Sequence, residues 1–169
     1  MFSEPLERRA KDLIKACKDA GLLLATAESC TGGLLAALLT EIPGSSEVFE
    51  RGFVTYSNAA KIQSLGVSPK LLESFGAVSS ETAQAMVVGA LAHSLATMAV
   101  SVTGIAGPAG GSATKPVGLV YFALARREGH IISVEKRFGD IGRDAVRLAS
   151  VSAALKLLEA AVQRSGATS

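Results

Sequence analysis

Leu22-Leu23-Leu24-Ala25-Thr26-Ala27-Glu28-Ser29-Cys30-Thr31-Gly32-Gly33, followed by Leu34-Leu35-Ala36-Ala37-Leu38-Leu39, is the stretch on which the reading of the fold turns. A short apolar run breaks into small hydroxylated residues and two glycines, and a second apolar run follows. That order predicts a buried strand over Leu22–Ala27, a tight turn, and a helix ending near Ile42. Ser29 falls at the turn. The exposed amides of a new helix N-terminus favour negative charge, including a developing oxyanion, so a serine there is placed for acyl transfer. Taken alone it reads first as an ordinary helix N-cap.

Working outward, Leu6, Ala10, Leu13, Ile14 and Cys17 recur at helical spacing and predict a helix from Leu6 to Ala20, stopped by Gly21. Downstream, Phe49–Tyr56 reads as a strand and Ser57-Asn58 as the cap of a short helix through Lys61 to Leu65. Pro69–Phe75 is another short helix, and Ser79-Ser80-Glu81-Thr82 opens a longer one to His93. Thr97–Thr103 is a third strand, leading into the glycine-rich segment 104–118. Val117–Arg126 and His130–Phe138 alternate around Glu128-Gly129 as a hairpin, and a last helix runs from Gly142 to Gln163. The expected fold is α/β: a three-layer α/β/α sandwich with a mixed, mainly parallel sheet ending in an antiparallel hairpin.

The bulk properties bound the function. The 169 residues suit one domain with a real core, and 49% hydrophobic against 19% charged residues is slightly more apolar than usual. A net charge of +2 without a Lys/Arg block argues against nucleic acid as a partner. Cys17, Cys30, His93 and His130 form neither a disulfide framework nor a zinc pattern, so no metal or other cofactor is expected. The N-terminus lacks a signal layout and no run spans a bilayer, which predicts a cytoplasmic protein with no membrane contact.

Three constellations carry candidate chemistry. Ser29 is the first, with Cys30 beside it as a rival nucleophile whose thiol pKa would fall at a helix N-terminus. The second is Tyr56-Ser57-Asn58-Ala59-Ala60-Lys61, at another strand end. A lysine one turn past the cap is either a solvated helix residue or, turned into a crevice between strand ends, a desolvated neutral base. The third is Ser101-Val102-Thr103-Gly104-Ile105-Ala106-Gly107-Pro108-Ala109-Gly110-Gly111, whose glycines allow backbone amides to approach a ligand, although it is neither a Walker loop nor a dinucleotide fingerprint. Arg143 and Arg147, one turn apart, either grip a phosphate or form a solvated face. His93 and His130 read as surface or capping residues.

In order, the blocks Ala27–Gly33, Gly52–Asn58 with Lys61 and Leu65-Gly66-Val67, Gly76–Ser79, Ser101–Pro108 and Lys115–Gly118 resemble the nicotinamide-nucleotide amidase family, also called the CinA C-terminal domain family, in its stand-alone form. The resemblance spans Leu6 to Leu158. It implies metal-free hydrolysis of the carboxamide of a small-molecule nucleotide, nicotinamide mononucleotide, to nicotinate mononucleotide and ammonia. The family's serine nucleophile and lysine base fall on Ser29 and Lys61, and two further active-site positions on Tyr56 and Thr103. It also implies a substrate site drawing on Cys30, Thr31, Gly32, Gly33, Asn58, Gly104, Gly107, Gly111 and Arg143, in a single amidase domain over residues 1–169 without the N-terminal domain of longer relatives.

The residue chemistry agrees with that reaction. Neutral Lys61 takes the Ser29 proton, amides at the start of the helix after Thr31 hold the oxyanion, and the glycine-rich loop or Arg143 holds the phosphate. Two rival readings remain: a non-catalytic nucleotide-binding or regulatory module of the same fold, and an amidohydrolase for another amide. Finally, the apolar surplus of Leu34–Leu39 and of the small-residue helix Ala145–Ala161 predicts a homo-oligomer.

Overall fold

Each strand of the central sheet presents two unlike faces, and that asymmetry places the helices. The computed structural model describes residues 1–166. Its elements are α1 (Glu4–Asp19), β1 (Leu24–Glu28), α2 (Leu34–Thr40), β2 (Phe49–Val54), α3 (Asn58–Leu65), α4 (Pro69–Phe75), α5 (Ser80–Ala92), β3 (Met98–Gly104), β4 (Leu119–Arg126), β5 (Ile132–Arg137) and α6 (Arg143–Gly166). The strand order is β2-β1-β3-β4-β5. β1 pairs in parallel with β2 and β3, and the pairs β3–β4 and β4–β5 are antiparallel, so only β4 runs against the others. The mixed, mainly parallel sheet with its terminal hairpin is therefore present, and helices cover both faces.

Because side chains alternate along a strand, Leu24, Met98, Val100, Val102, Phe122 and Leu124 enter one core with α1, α2 and α6. The other face offers Ala25, Ala27, Ala99, Ala123 and Ala125, against which α3, α4 and α5 pack. An alanine face lets a helix lie close, and Ser101 Oγ, on that face, donates to Ala83 O of α5 at 2.6 Å. α5 in turn carries Gly89, where an added Cβ would stand 2.0 Å from Leu65 O. Only glycine admits this approach. It draws α3 inward and buries the residues on its inner side.

The three parallel strands β1, β2 and β3 end at one edge of the sheet. The connection leaving β1 passes through α2 on the bulky face, and the one leaving β2 passes through α3–α5 on the alanine face. Neighbouring connections that diverge in this way open a crevice beyond the carboxyl ends, where open α/β sheets bind ligands. Among the described residues no helix is long and apolar enough to cross a membrane.

Candidate active site

The turn after β1 is held from several sides. Ser29 N–H donates to Val102 O of β3 at 2.9 Å, and Gly32 N–H returns to Ser29 O at 3.0 Å. Gly32 and Gly33 take φ of +59° and +95°, left-handed conformations that exclude most side chains. α2 then starts at Leu34, directly after Gly33 as expected. Glu28, fully buried, holds that start. Its carboxylate accepts from Gly33 N at 3.1 Å, Leu35 N at 3.0 Å and Ala36 N at 2.9 Å, satisfying the donors that a helix start leaves open.

Glu28 therefore corrects the expectation that the first helical amides face an oxyanion, because they already hold a carboxylate. The amides of Cys30 and Thr31 are left without an oxygen acceptor among the described residues, beside the sulfur of Cys30. The sequence reading gave Glu28 no role. A carboxylate just before Ser-Cys-Thr-Gly-Gly was the available signal, since acidic side chains favour helix starts.

α3 begins at the predicted cap, with Ser57 Oγ accepting from Ala60 N–H at 3.0 Å. Lys61, one turn further on, is 1% exposed, which settles against a solvated helix lysine. Its Nζ stands 3.0 Å from Ser29 Oγ and 2.8 Å from Thr55 O. Burial pulls its pKa below the ordinary 10.5, since a cation there loses its hydration, and Cys30 opposes the shift only in part. Cys30 goes the other way from expectation. Burial pushes its thiol up to about 12, so at neutral pH it is a packed thiol and a poor nucleophile.

Ser29, Cys30 and Lys61 form the floor of a cleft of about 240 Å³. One wall is Ala77-Val78; the opposite wall is the chain leaving β3, from Thr103 through Gly104 to Gly107. Thr103 Oγ1 ties the two walls together by donating to Ala77 O at 2.6 Å. At the mouth Arg143 Nη2 donates to Tyr56 Oη at 2.9 Å, and Nη1 donates to Gly107 O at 2.9 Å. The structure thus brings Ser29, Cys30, Tyr56, Lys61, Thr103, Gly104, Gly107 and Arg143 to one cleft. Thr31, Gly32, Gly33, Asn58 and Gly111 stand outside its lining.

Three of the loop glycines serve the loop's own packing. A Cβ on Gly104 would meet Val120 at 2.7 Å, one on Gly107 would meet Val117 at 2.6 Å, and one on Gly111 would meet Val117 N at 2.8 Å. Gly104 and Gly107 also line the cleft, whereas Gly111 lies outside its lining. The arginine pair also divides. Arg147 leaves the cleft to Arg143 and donates from Nε to Cys30 O and from Nη2 to Thr31 O, each at 3.2 Å. His93 ends α5, its Nδ1 2.8 Å from Gly89 O.

The fold and cleft define an α/β protein with a cleft at the parallel carboxyl edge of a mixed sheet. The chain belongs to the CinA C-terminal domain family, whose model matches residues 6–162. It is 48% identical over 159 residues to the nicotinamide-nucleotide amidohydrolase PncC of Escherichia coli strain K12, covering 94% of this chain and 95% of that one. The crystal structure of the competence/damage inducible protein CihA from Agrobacterium tumefaciens superposes with a TM-score of 0.93 at 54% identity, covering 95% of this chain and 97% of that one. A competence-damage inducible protein of Caldicellulosiruptor saccharolyticus is 53% identical over 82% of this chain, which spans about a third of that relative's length (33%).

Proposed function

We propose that the protein hydrolyses the carboxamide of nicotinamide mononucleotide to nicotinate mononucleotide and ammonia, with Ser29 as nucleophile and Lys61 as general base. The observation that carries this reading is a buried amine 3.0 Å from a serine hydroxyl on the floor of a cleft. The name of the Escherichia coli relative, a nicotinamide-nucleotide amidohydrolase matched along nearly its whole length, supports the substrate. A neutral Lys61 gives one N–H to Thr55 O and turns its lone pair to the Ser29 hydroxyl proton. Ser29 Oγ then attacks the carboxamide carbon as the proton passes to Nζ.

The negative charge gathers on the carboxamide oxygen, for which the Cys30 and Thr31 amides are the donors still free at the turn. The lysine ammonium next protonates the departing nitrogen, which leaves as ammonia, and a serine ester remains. Water, losing its proton to neutral Lys61, attacks that ester; protonated Lys61 returns the proton to Ser29 Oγ as the acid is released. At the mouth, Arg143 is placed to receive the phosphate, exchanging its bond to Tyr56 Oη for a charge-assisted one. Thr103 acts at a remove by fixing the cleft walls.

Ammonia release is the direct test, measured on nicotinamide mononucleotide and on a panel of other nucleotides and free amides. Release from the mononucleotide that disappears in Ser29→Ala is expected. Binding without release would mean a nucleotide-binding module, and preference for another amide would reassign the substrate.

A further inference from the structure

Arg147 belongs neither to the serine–lysine pair nor to the lining of the cleft, yet it grips the segment that follows Ser29. It reaches from the start of α6 to the outer side of the turn, and no carboxylate among the described residues forms an ion pair with it. The approach is close: a Cβ on Gly32 would stand 3.4 Å from Nη2. In a trans peptide unit the C=O and the N–H point in opposite directions. A guanidinium drawing Cys30 O outward therefore directs Thr31 N–H inward. The preceding unit is held in the same sense, with Ser29 O accepting from Gly32 N–H at 3.0 Å. Both freed amides gather beside the Cys30 sulfur, which lines the cleft.

We infer that Arg147 is a positioning residue for the oxyanion: from behind the turn it fixes and polarises the amides that meet the charge on the carboxamide oxygen. The inference rests on the acyl-transfer reading of Ser29. A cation on a peptide carbonyl also strengthens the N–H of the same unit as a donor, because chains of hydrogen bonds polarise one another. Glu28 completes the arrangement by occupying the amides of α2, so that the turn offers an oxyanion only the two that Arg147 and Gly32 direct. A phosphate-gripping role does not fit, because the guanidinium is engaged with backbone carbonyls outside the cleft.

Arg147→Ala and Arg147→Lys, assayed on nicotinamide mononucleotide beside Ser29→Ala, test this. Loss of one oxyanion donor typically lowers kcat about 10²–10³-fold, so misorienting one in Arg147→Ala should lower it about 10–100-fold. KM should stay within about twofold, the mark of an interaction made mainly in the transition state. The acid limb of the pH profile should not move, and millimolar guanidinium should restore part of kcat. Arg147→Lys, which keeps the charge, should lose less; if Arg147→Ala does not fold, its split between kcat and KM carries the test. A raised KM at unchanged kcat, or wild-type kinetics in both variants while Ser29→Ala is inactive, would overturn the positioning role alone. An active Ser29→Ala would overturn the acyl-transfer reading beneath it.

Discussion

The floor of the cleft and its mouth are built on opposite terms. At the floor and just beneath it, Lys61 and Glu28 are almost fully or fully buried, Lys61 bonded to Thr55 O and Glu28 to the amides at the start of α2. At the mouth, Tyr56 is 61% exposed and meets Arg143 through a single hydrogen bond. Buried polar groups left unpaired are costly, so the floor admits little change in shape. Solvent takes over any bond broken at the mouth, so a ligand can rearrange it at little cost. Chemistry that needs a desolvated amine fits the first environment, and recognition of a charged nucleotide fits the second.

The most severe break is at the floor. Ser29→Ala should lower turnover on the order of 10⁴-fold or more while the chain still folds. Lys61→Arg should be nearly as inactive, since a guanidinium does not deprotonate in the working range. Near-native activity in Ser29→Ala with loss in Cys30→Ala would move the nucleophile to the thiol.

The pH profile reads the same burial. Turnover should fall about tenfold per pH unit below an apparent pKa that lies under the ordinary 10.5 of lysine. Stability should follow in sign. The folded chain gives up the Lys61 proton more readily than the unfolded one, so its contribution is full above about 10.5 and is lost as pH falls through the folded pKa. A limb absent in Lys61→Met but present in wild type ties it to this residue; an unchanged limb would assign it elsewhere.

Glu28 tests whether the floor is as rigid as its bonds imply. Glu28→Ala leaves three amides of the α2 start without their acceptor, and each buried donor stranded costs about 1–3 kcal/mol. Water entering the gap would offset part of that, so a net loss of roughly 3 kcal/mol is expected, or about 6–12 °C in Tm. Calorimetry reads it, and an unchanged Tm would show the carboxylate to be dispensable.

At the mouth, Arg143→Ala should raise KM about tenfold with kcat within a few-fold, the reverse of the Arg147 pattern. Equal losses in kcat at both positions would erase the distinction between floor and mouth.

The smallest effect concerns assembly. Most of the apolar surplus first assigned to a subunit contact is internal, since Leu35, Leu38, Leu39, Val146, Val151, Leu155 and Leu158 are buried within one chain. Val54, Ile141 and Leu148 stay exposed, and a homo-oligomer covering them is still expected. Light scattering should give a multiple of 17.3 kDa; a mass at that value, unchanged on concentration, would mean the exposed residues have no partner copy.

The order of elements was legible because each is announced locally. The Leu6–Cys17 spacing, the Pro43-Gly44 break and the Glu128-Gly129 hairpin signal need no distant partner, and the structural boundaries fall within about three residues of those expected. Ser29 and Lys61 were also legible, as residue types at strand ends that lead into one crevice. The state of each was not. Spacing alone reads Lys61 first as a solvated helix residue; its burial falls to Gly89 and the alanine face of β1, β3 and β4, which draw α3 inward.

The same holds for the two arginines. Residues one turn apart share a helix face and read as a pair, but Arg143 meets Tyr56 and Gly107 whereas Arg147 meets the turn after Ser29. By itself the sequence determined the order and kind of the elements and the chemical types that reach the carboxyl edge, because periodicity, caps and turns are short-range. Only the tertiary structure decided which amine is dry, which amides are free and which arginine lines the cleft, because burial and hydrogen-bond partnership depend on groups that lie far apart in the chain.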